Sequence, residues 1–298
     1  MVHLCARPPK GSRQCVLGRE TAIQKMVWNK EGWLRLACGG RFGQWETEEP
    51  TGIQEYLFQE EDGNDYGRDD FDIKITDCAG IDKIVENADN AEASLDVRYT
   101  SLRQPYDSYT SLTERPGYLR LYGQESLNSC YNVSLVARRQ QERHVQVETC
   151  VEFAPTCREQ MAGLAYMYDT GNFYLLVKTR EEEFGSQTLD LKKPAKLRLI
   201  KSDHFDVEDV IPAISIPEEG PVYLRVTTTQ EGLYAKFFYS LDGNDYQELA
   251  EVPTNILTDE QSDGFTGAHF GMYCHDMTGV RRYADFDYFQ IVKARKEQ

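Results

Sequence analysis

From about residue 95 onward the chain reads as a series of short strands. Across Val145–Phe153 apolar and polar residues alternate with period two, as a half-buried strand requires. Residues 164–168 and 173–177 flank Asp169-Thr170-Gly171-Asn172, a set that tolerates the positive φ of a tight reversal and predicts a hairpin. A second hairpin is predicted where residues 234–241 and 246–249 flank Asp242-Gly243-Asn244-Asp245, preceded by a strand over 222–227. Two more apolar runs follow, at 268–274 and 283–292. With hardly any 3.6-residue period, this pattern predicts an antiparallel β-sandwich over roughly the last 200 residues. The aromatic residues Tyr118, Tyr122, Tyr166, Tyr168, Phe173, Tyr174, Phe237, Phe238, Tyr239, Tyr283, Phe286, Tyr288 and Phe289 are expected in its core.

The first 45 residues differ. Residues 22–27 and 33–37 predict a small hairpin across 28–32, too small to bury its own faces. Open strand edges of that kind associate, so this piece is expected to belong to a larger β structure beginning before Met1, and the chain to be a fragment.

Length and charge refine this picture. At 298 residues the chain has room for about two domains and a sizeable core. The net charge of −16 argues against nucleic-acid or anionic-membrane partners. Residues 1–45 carry +6, and residues 46–96 hold seventeen acids against Arg68, Lys74 and Lys83. Such a like-charged stretch, without a calcium-loop motif, is expected to be a solvated linker. The eight cysteines show no zinc-ligand spacing and are expected to be reduced thiols; for Cys150 and Cys157 two unlinked thiols are the expectation and a bridge the alternative. No apolar run reaches 18 residues, and the first residues lack a basic segment followed by an apolar one, so neither a membrane span nor an export signal is expected.

Particular motifs carry a family resemblance. Gly18-Arg19-Glu20-Thr21-Ala22-Ile23-Gln24 with Trp33-Leu34-Arg35-Leu36 resembles the closing blade of the five-bladed β-propeller in glycoside hydrolase family 43 β-xylosidases and α-arabinofuranosidases. Residues 1–8 resemble the preceding active-site strand, with Ala6 where a glycine is usual. Arg115-Pro116-Gly117-Tyr118-Leu119-Arg120-Leu121-Tyr122-Gly123 with Glu125-Ser126-Leu127 is similar to the opening of the concanavalin-A-like sandwich appended to those enzymes. So are Gly264-Phe265-Thr266-Gly267-Ala268 and Tyr283-Ala284-Asp285-Phe286-Asp287-Tyr288-Phe289. The resemblance implies an all-β chain: terminal propeller strands at 1–45, an acidic linker or insertion at 46–94, and a concanavalin-A-like jelly roll at 95–298, with 68–72 a candidate first strand.

The resemblance also implies an inverting hydrolysis of O-glycosyl bonds, which needs one carboxylate to activate water and one carboxylic acid to protonate the departing oxygen. In the family these acids lie in earlier propeller blades, so no catalytic residue is expected here and the chain alone is expected to be inactive. Three residues match substrate-pocket positions of the family. Arg19 would offer paired donors to sugar oxygens, the plainer alternative being a surface ion pair. His3 would sit in the pocket wall, or serve as an ordinary structural donor. Phe265, in a loop flanked by glycines, would cap the xylose site, or sit in the core. Glu20 follows Arg19 directly, so on a strand it points to the other face and is read as a structural ion pair. Asp70 or Asp72 with Asp285 or Asp287 is a candidate set for a structural calcium, against carboxylates that cap turns; no other cofactor is implied. The triplet Asn132-Val133-Ser134 is treated as a chance match to a glycosylation acceptor.

The resulting expectation is the C-terminal part of a family 43 enzyme acting on xylo-oligosaccharides or arabinosides, cytoplasmic and prone to form homo-oligomers, whose sandwich closes the pocket. The alternative is a non-catalytic carbohydrate-binding module. A scaffold that recruits partners along open strand edges is a third reading.

Overall fold

The computed structural model describes residues 1–48, 67–72, 74–76, 82–84, 94–182, 194–262 and 264–294. The acidic linker or insertion expected at 46–94 therefore lies largely outside the described residues. Short strands open the chain: β1 (Val2–Cys5), β2 (Glu20–Ile23), β3 (Met26–Trp28), β4 (Leu34–Leu36), β5 (Gly67–Asp69), β6 (Lys74–Thr76) and β7 (Asp82–Ile84). Next come β8 (Thr110–Ser111), β9 (Leu119–Tyr122), β10 (Ser134–Arg139), β11 (Val145–Phe153), β12 (Gln160–Met167), β13 (Phe173–Thr179) and β14 (Ala195–Asp203). The chain continues through β15 (Asp206–Asp209), β16 (Ile214–Ile216), β17 (Val222–Thr229), β18 (Tyr234–Ser240) and β19 (Gln247–Pro253). After one four-residue helix, α1 (Asp259–Ser262), it closes with β20 (His269–Asp276) and β21 (Tyr283–Lys293).

Two antiparallel sheets form the sandwich. One runs β10-β20-β12-β13-β14-β15, with β16 also on β14; the other runs β19-β18-β17-β11-β21-β9-β8, with β5 also on β21. The alternation over Val145–Phe153 puts Val145, Val147, Val151 and Phe153 between the sheets, and the register shift at Cys150/Val151 leaves Asp287 of β21 as the extra residue. Between the layers Val147, Leu164, Leu176, Leu224, Phe237, Phe270 and Phe289 form one buried cluster. The turn at Asp169–Asn172 closes β12 on β13 with Met167 opposite Phe173, and the Asp169 carboxylate accepts from the Gly171 amide.

Four of the aromatics expected in the core are not fully buried: Tyr118, Tyr122 and Phe238 are half-buried, and Tyr283 is exposed. Three of them lie on the outer surface, where guanidinium groups cover the rings: Arg115 on Tyr118, Arg281 on Tyr122 and Arg120 on Tyr283. Phe238 alternates along β18 with the buried Ala235, Phe237 and Tyr239, so it points away from the inner face.

The N-terminal hairpin differs from the sequence expectation in register. β2 pairs with β1, while β3 pairs with β4 around Asn29–Trp33. The strand expected over 22–27 is interrupted because the Gln24 side chain is buried and bonds the backbone of residue 44, donating to its carbonyl and accepting from its amide. Between these ladders the chain dips into the sandwich: Cys15, Val16 and Leu17 are buried in the inter-sheet cluster, and the Ala268 amide donates to the Val16 carbonyl at 2.7 Å. Among the described residues no helix is long and apolar enough to cross a membrane.

Candidate functional site

Segment 15–19 lies against the loop that leads into β20, and the contact is backbone to backbone. Gly18 and Gly267 both hold positive φ, +69° and +77°. A Cβ on Gly18 would fall 2.3 Å from the Gly267 nitrogen, and one on Gly267 would fall 2.5 Å from the Leu17 oxygen. Just beyond, the Arg19 amide donates to the Phe265 carbonyl at 3.2 Å, and the Arg139 guanidinium donates to the carbonyls of Leu17 and Arg19. Gly264 lies flat on the Tyr168 ring, where a Cβ would approach within 2.6 Å.

This clamp aims two side chains. The Phe265 ring stands 67% exposed, and the Arg19 guanidinium lies 5.4 Å from its centroid. Arg19 Nε is also 3.3 Å from Asp259 Oδ2, while Asp259 Oδ1 accepts from the Tyr168 hydroxyl at 2.6 Å. Burial, then the Asp259 carboxylate, pushes the Tyr168 hydroxyl well above its ordinary range, so it stays a donor. Asp259 itself is buried, and its Oδ2 has no hydrogen-bond partner. A fixed guanidinium beside an exposed phenyl ring can hold a hydroxyl-rich ligand: paired N–H donors meet its oxygens, and the ring packs on its C–H face.

Of the three residues proposed for a pocket, the structure brings Arg19 and Phe265 together. His3 lies on β1 opposite Ala22, half-buried, with Nδ1 lacking a hydrogen-bond partner. No hydrogen bond, ion pair or ring contact joins it to Arg19 or Phe265 among the described residues. Glu20 pairs with Arg7, Oε2 to Nε at 2.6 Å and Oε1 to Nη2 at 2.8 Å, a bidentate ion pair. Sequence reasoning missed Asp259, whose local signal, Thr258-x-x-Gln261, marks only the start of a helical turn. It placed Tyr168 in the core without a role for its hydroxyl.

Two of the four carboxylates considered for calcium are engaged otherwise. Asp285, buried, accepts from Arg120 at 2.7 and 2.9 Å and from Arg115 at 3.1 Å. Asp70 is largely exposed and pairs with Arg68 at 2.6 Å. A donor already facing two guanidinium groups does not fit a divalent cation, because their charges would oppose it. Among the described residues no cluster of three or more His, Cys, Asp or Glu side chains is placed to hold a metal ion.

Known proteins match this architecture along nearly the whole chain. A β-xylosidase of Bacillus subtilis (strain 168) is 35% identical over 283 residues, 93% of this chain and 46% of that protein. A putative β-xylosidase of Escherichia coli (strain K12) is 33% identical over 315 residues, 97% of this chain and 51% of that protein. The crystal structure of a xylan β-1,4-xylosidase from Bacillus halodurans C-125 superposes with a TM-score of 0.81 at 34% identity, over 98% of this chain and 50% of that one. The chain thus spans about half the length of the curated relatives it matches. Residues 88–292 match the family model of the β-xylosidase C-terminal concanavalin-A-like domain. With two layered antiparallel sheets and this match over residues 88–292, the chain belongs to that C-terminal domain family of the glycoside hydrolase family 43 β-xylosidases.

Proposed function

We propose that this chain forms the C-terminal portion of a family 43 β-xylosidase or α-arabinofuranosidase, and that its sandwich closes the pocket receiving the end of a xylo-oligosaccharide or arabinoside. The observation that carries this reading is the clamp joining segment 15–19 to the 264–267 loop, which sets Arg19 beside the exposed Phe265 ring. A guanidinium and an aromatic face are the groups that recognise a sugar. In this reading the reacting acid and base belong to the propeller and the sandwich contributes binding. The carboxylate packed on Arg19, that of Asp259, is buried and paired, so it lacks the access to water that a general base needs. The buried free thiols of Cys15, Cys150, Cys157 and Cys274 suit a reducing compartment, which supports a cytoplasmic site of action.

The test joins this chain behind the propeller half of the Bacillus subtilis relative and follows hydrolysis of an aryl β-xyloside. Phe265→Ala is expected to raise KM roughly tenfold, the worth of one lost aromatic contact. Arg19→Ala is expected to lower kcat/KM as well. A fusion whose kcat/KM is indifferent to both substitutions would overturn the reading and favour a binding module that works apart from the pocket.

A further inference from the structure

A second cleft opens on the sandwich, away from Phe265. Strand β12 ends next to Tyr168, at the Arg19 site, and begins at Gln160, near this cleft, so the two lie about 25 Å apart along the strand. Strand β20 gives the same separation, starting beside Gly267 and ending before the 277–282 turn. The cleft, of about 600 Å³, is bounded by residues 153–156, 218–220 and 282–285.

Its floor is a fixed lattice of opposite charges. Arg115 donates to both oxygens of Glu152, at 3.1 and 2.9 Å, and to Asp285, which Arg120 holds from the other side. Arg120 also covers one face of Tyr283, with its guanidinium carbon 3.8 Å from the ring centroid, and Tyr283 remains 42% exposed. Against this background two charged side chains at the rim are unpaired. Among the described residues Arg282 makes no ion pair and its Nε is buried without a hydrogen-bond partner; the exposed Glu219 carboxylate has no ion-pair partner either. Mixed charge disfavours a polyanion, and a polar floor disfavours an apolar ligand. An aromatic ring, a free guanidinium and carboxylate acceptors on one open surface suit a chain of hydroxyl-bearing sugars.

We infer that this cleft is a second, non-catalytic carbohydrate site that holds an internal stretch of a polysaccharide while the Arg19–Phe265 end works on chain termini. The choice of xylan as that polysaccharide rests on the function proposed above; the sugar chemistry of the cleft does not.

Affinity electrophoresis of the whole chain through gels containing soluble xylan tests this. The unsubstituted chain is expected to be retarded, and Arg282→Gln and Tyr283→Ala each to weaken the association at least fivefold, with melting curves as the check on folding. Glu219→Ala removes an exposed, unpaired group, cannot unsettle the core, and is expected to weaken retention at least twofold. Phe265→Ala, at the other end, is expected to weaken retention less than either Arg282→Gln or Tyr283→Ala. Absence of retardation in gels of xylan and of soluble β-glucan alike, or retardation that survives all three cleft substitutions, overturns the second site. Retention abolished by Phe265→Ala overturns it too, while upholding Phe265 as a sugar contact. Retention by soluble β-glucan and none by xylan upholds the sugar chemistry of the cleft and counts against xylan as its ligand.

Discussion

Gly18 and Gly267 are in contact at a separation that admits no side chain on either, and both hold a backbone conformation that L-residues adopt at a cost. Gly18→Ala would therefore suffer twice, from φ of +69° and from a carbon 2.3 Å from the Gly267 nitrogen. The segment must shift, and with it the Arg19 amide that bonds the Phe265 carbonyl. We expect the substitution to cost about 2–4 kcal/mol, read as a lower urea midpoint at unchanged slope. A midpoint equal to that of the parent chain would mean that the two glycines do not hold the clamp. At this scale the sequence was partly legible. The motif around Arg19 and the glycines flanking Phe265 marked both halves of the site. Their meeting was not marked, because 245 residues separate Arg19 from Phe265 in the chain and the linkage is made by backbone atoms. Asp259 was illegible for a related reason: an acid in a short helical turn looks the same whether it faces water or a guanidinium.

Strands with one solvated face announced themselves, and strands buried on both faces did so less clearly. Val145–Phe153 has the same bounds in the structure as in the alternation pattern. By contrast, β12 and β13 are buried at every residue, because the outer face of their sheet carries a second cluster with Leu127, Val133, Leu135, Met167, Phe173 and Tyr273. The loops around Leu102 and Leu127 cover that face, so apolar residues there run without a polar alternate. A further element is held by charge. On β5, which pairs with Phe289–Ile291 of β21, Asp69 lies 3.5 Å from the guanidinium of Arg138. That guanidinium is buried, packed 4.2 Å from the Tyr99 ring centroid, and no hydrogen bond satisfies its Nε or Nη2. Asp69→Asn keeps a side-chain oxygen for the Phe71 amide, which Asp69 now accepts at 3.0 Å, but removes the countercharge. The unpaired buried cation is expected to cost about 2–3 kcal/mol and to speed hydrogen exchange at the amides of β5. Exchange and stability both unchanged would show that β5 is held by its ladder alone.

Across the whole molecule the charge of −16 invites the expectation that acid, by neutralising carboxylates, relieves repulsion and stabilises the fold. Buried histidines oppose it. The Tyr273 hydroxyl and His275 Nδ1 lie 2.6 Å apart inside the sandwich, and burial, helped by Arg198 and opposed by Asp276, lowers the His275 imidazole to about 4. Burial also lowers His269, which stands at the start of the same strand. An unfolded histidine takes a proton near pH 6.5, whereas the folded His275 resists until about 4, so the unfolded chain binds more protons between these values. Stability is then full above about pH 6.5 and falls as the pH drops toward 4, by at most about 3 kcal/mol for His275, with His269 acting in the same direction. Asp276, held below its ordinary range mainly by hydrogen bonds from Thr278 and the Arg282 amide against the opposing effect of burial, adds a further loss once the pH falls below that of a free carboxylate. Chemical unfolding measured at half-unit steps from pH 7.5 to 4 should show this decline. In His275→Gln the slope between 6.5 and 4 should shrink by about one proton, because glutamine keeps a polar partner for Tyr273 and does not titrate. A variant whose slope matches the parent's would place the acid sensitivity in surface carboxylates instead of in the sandwich core.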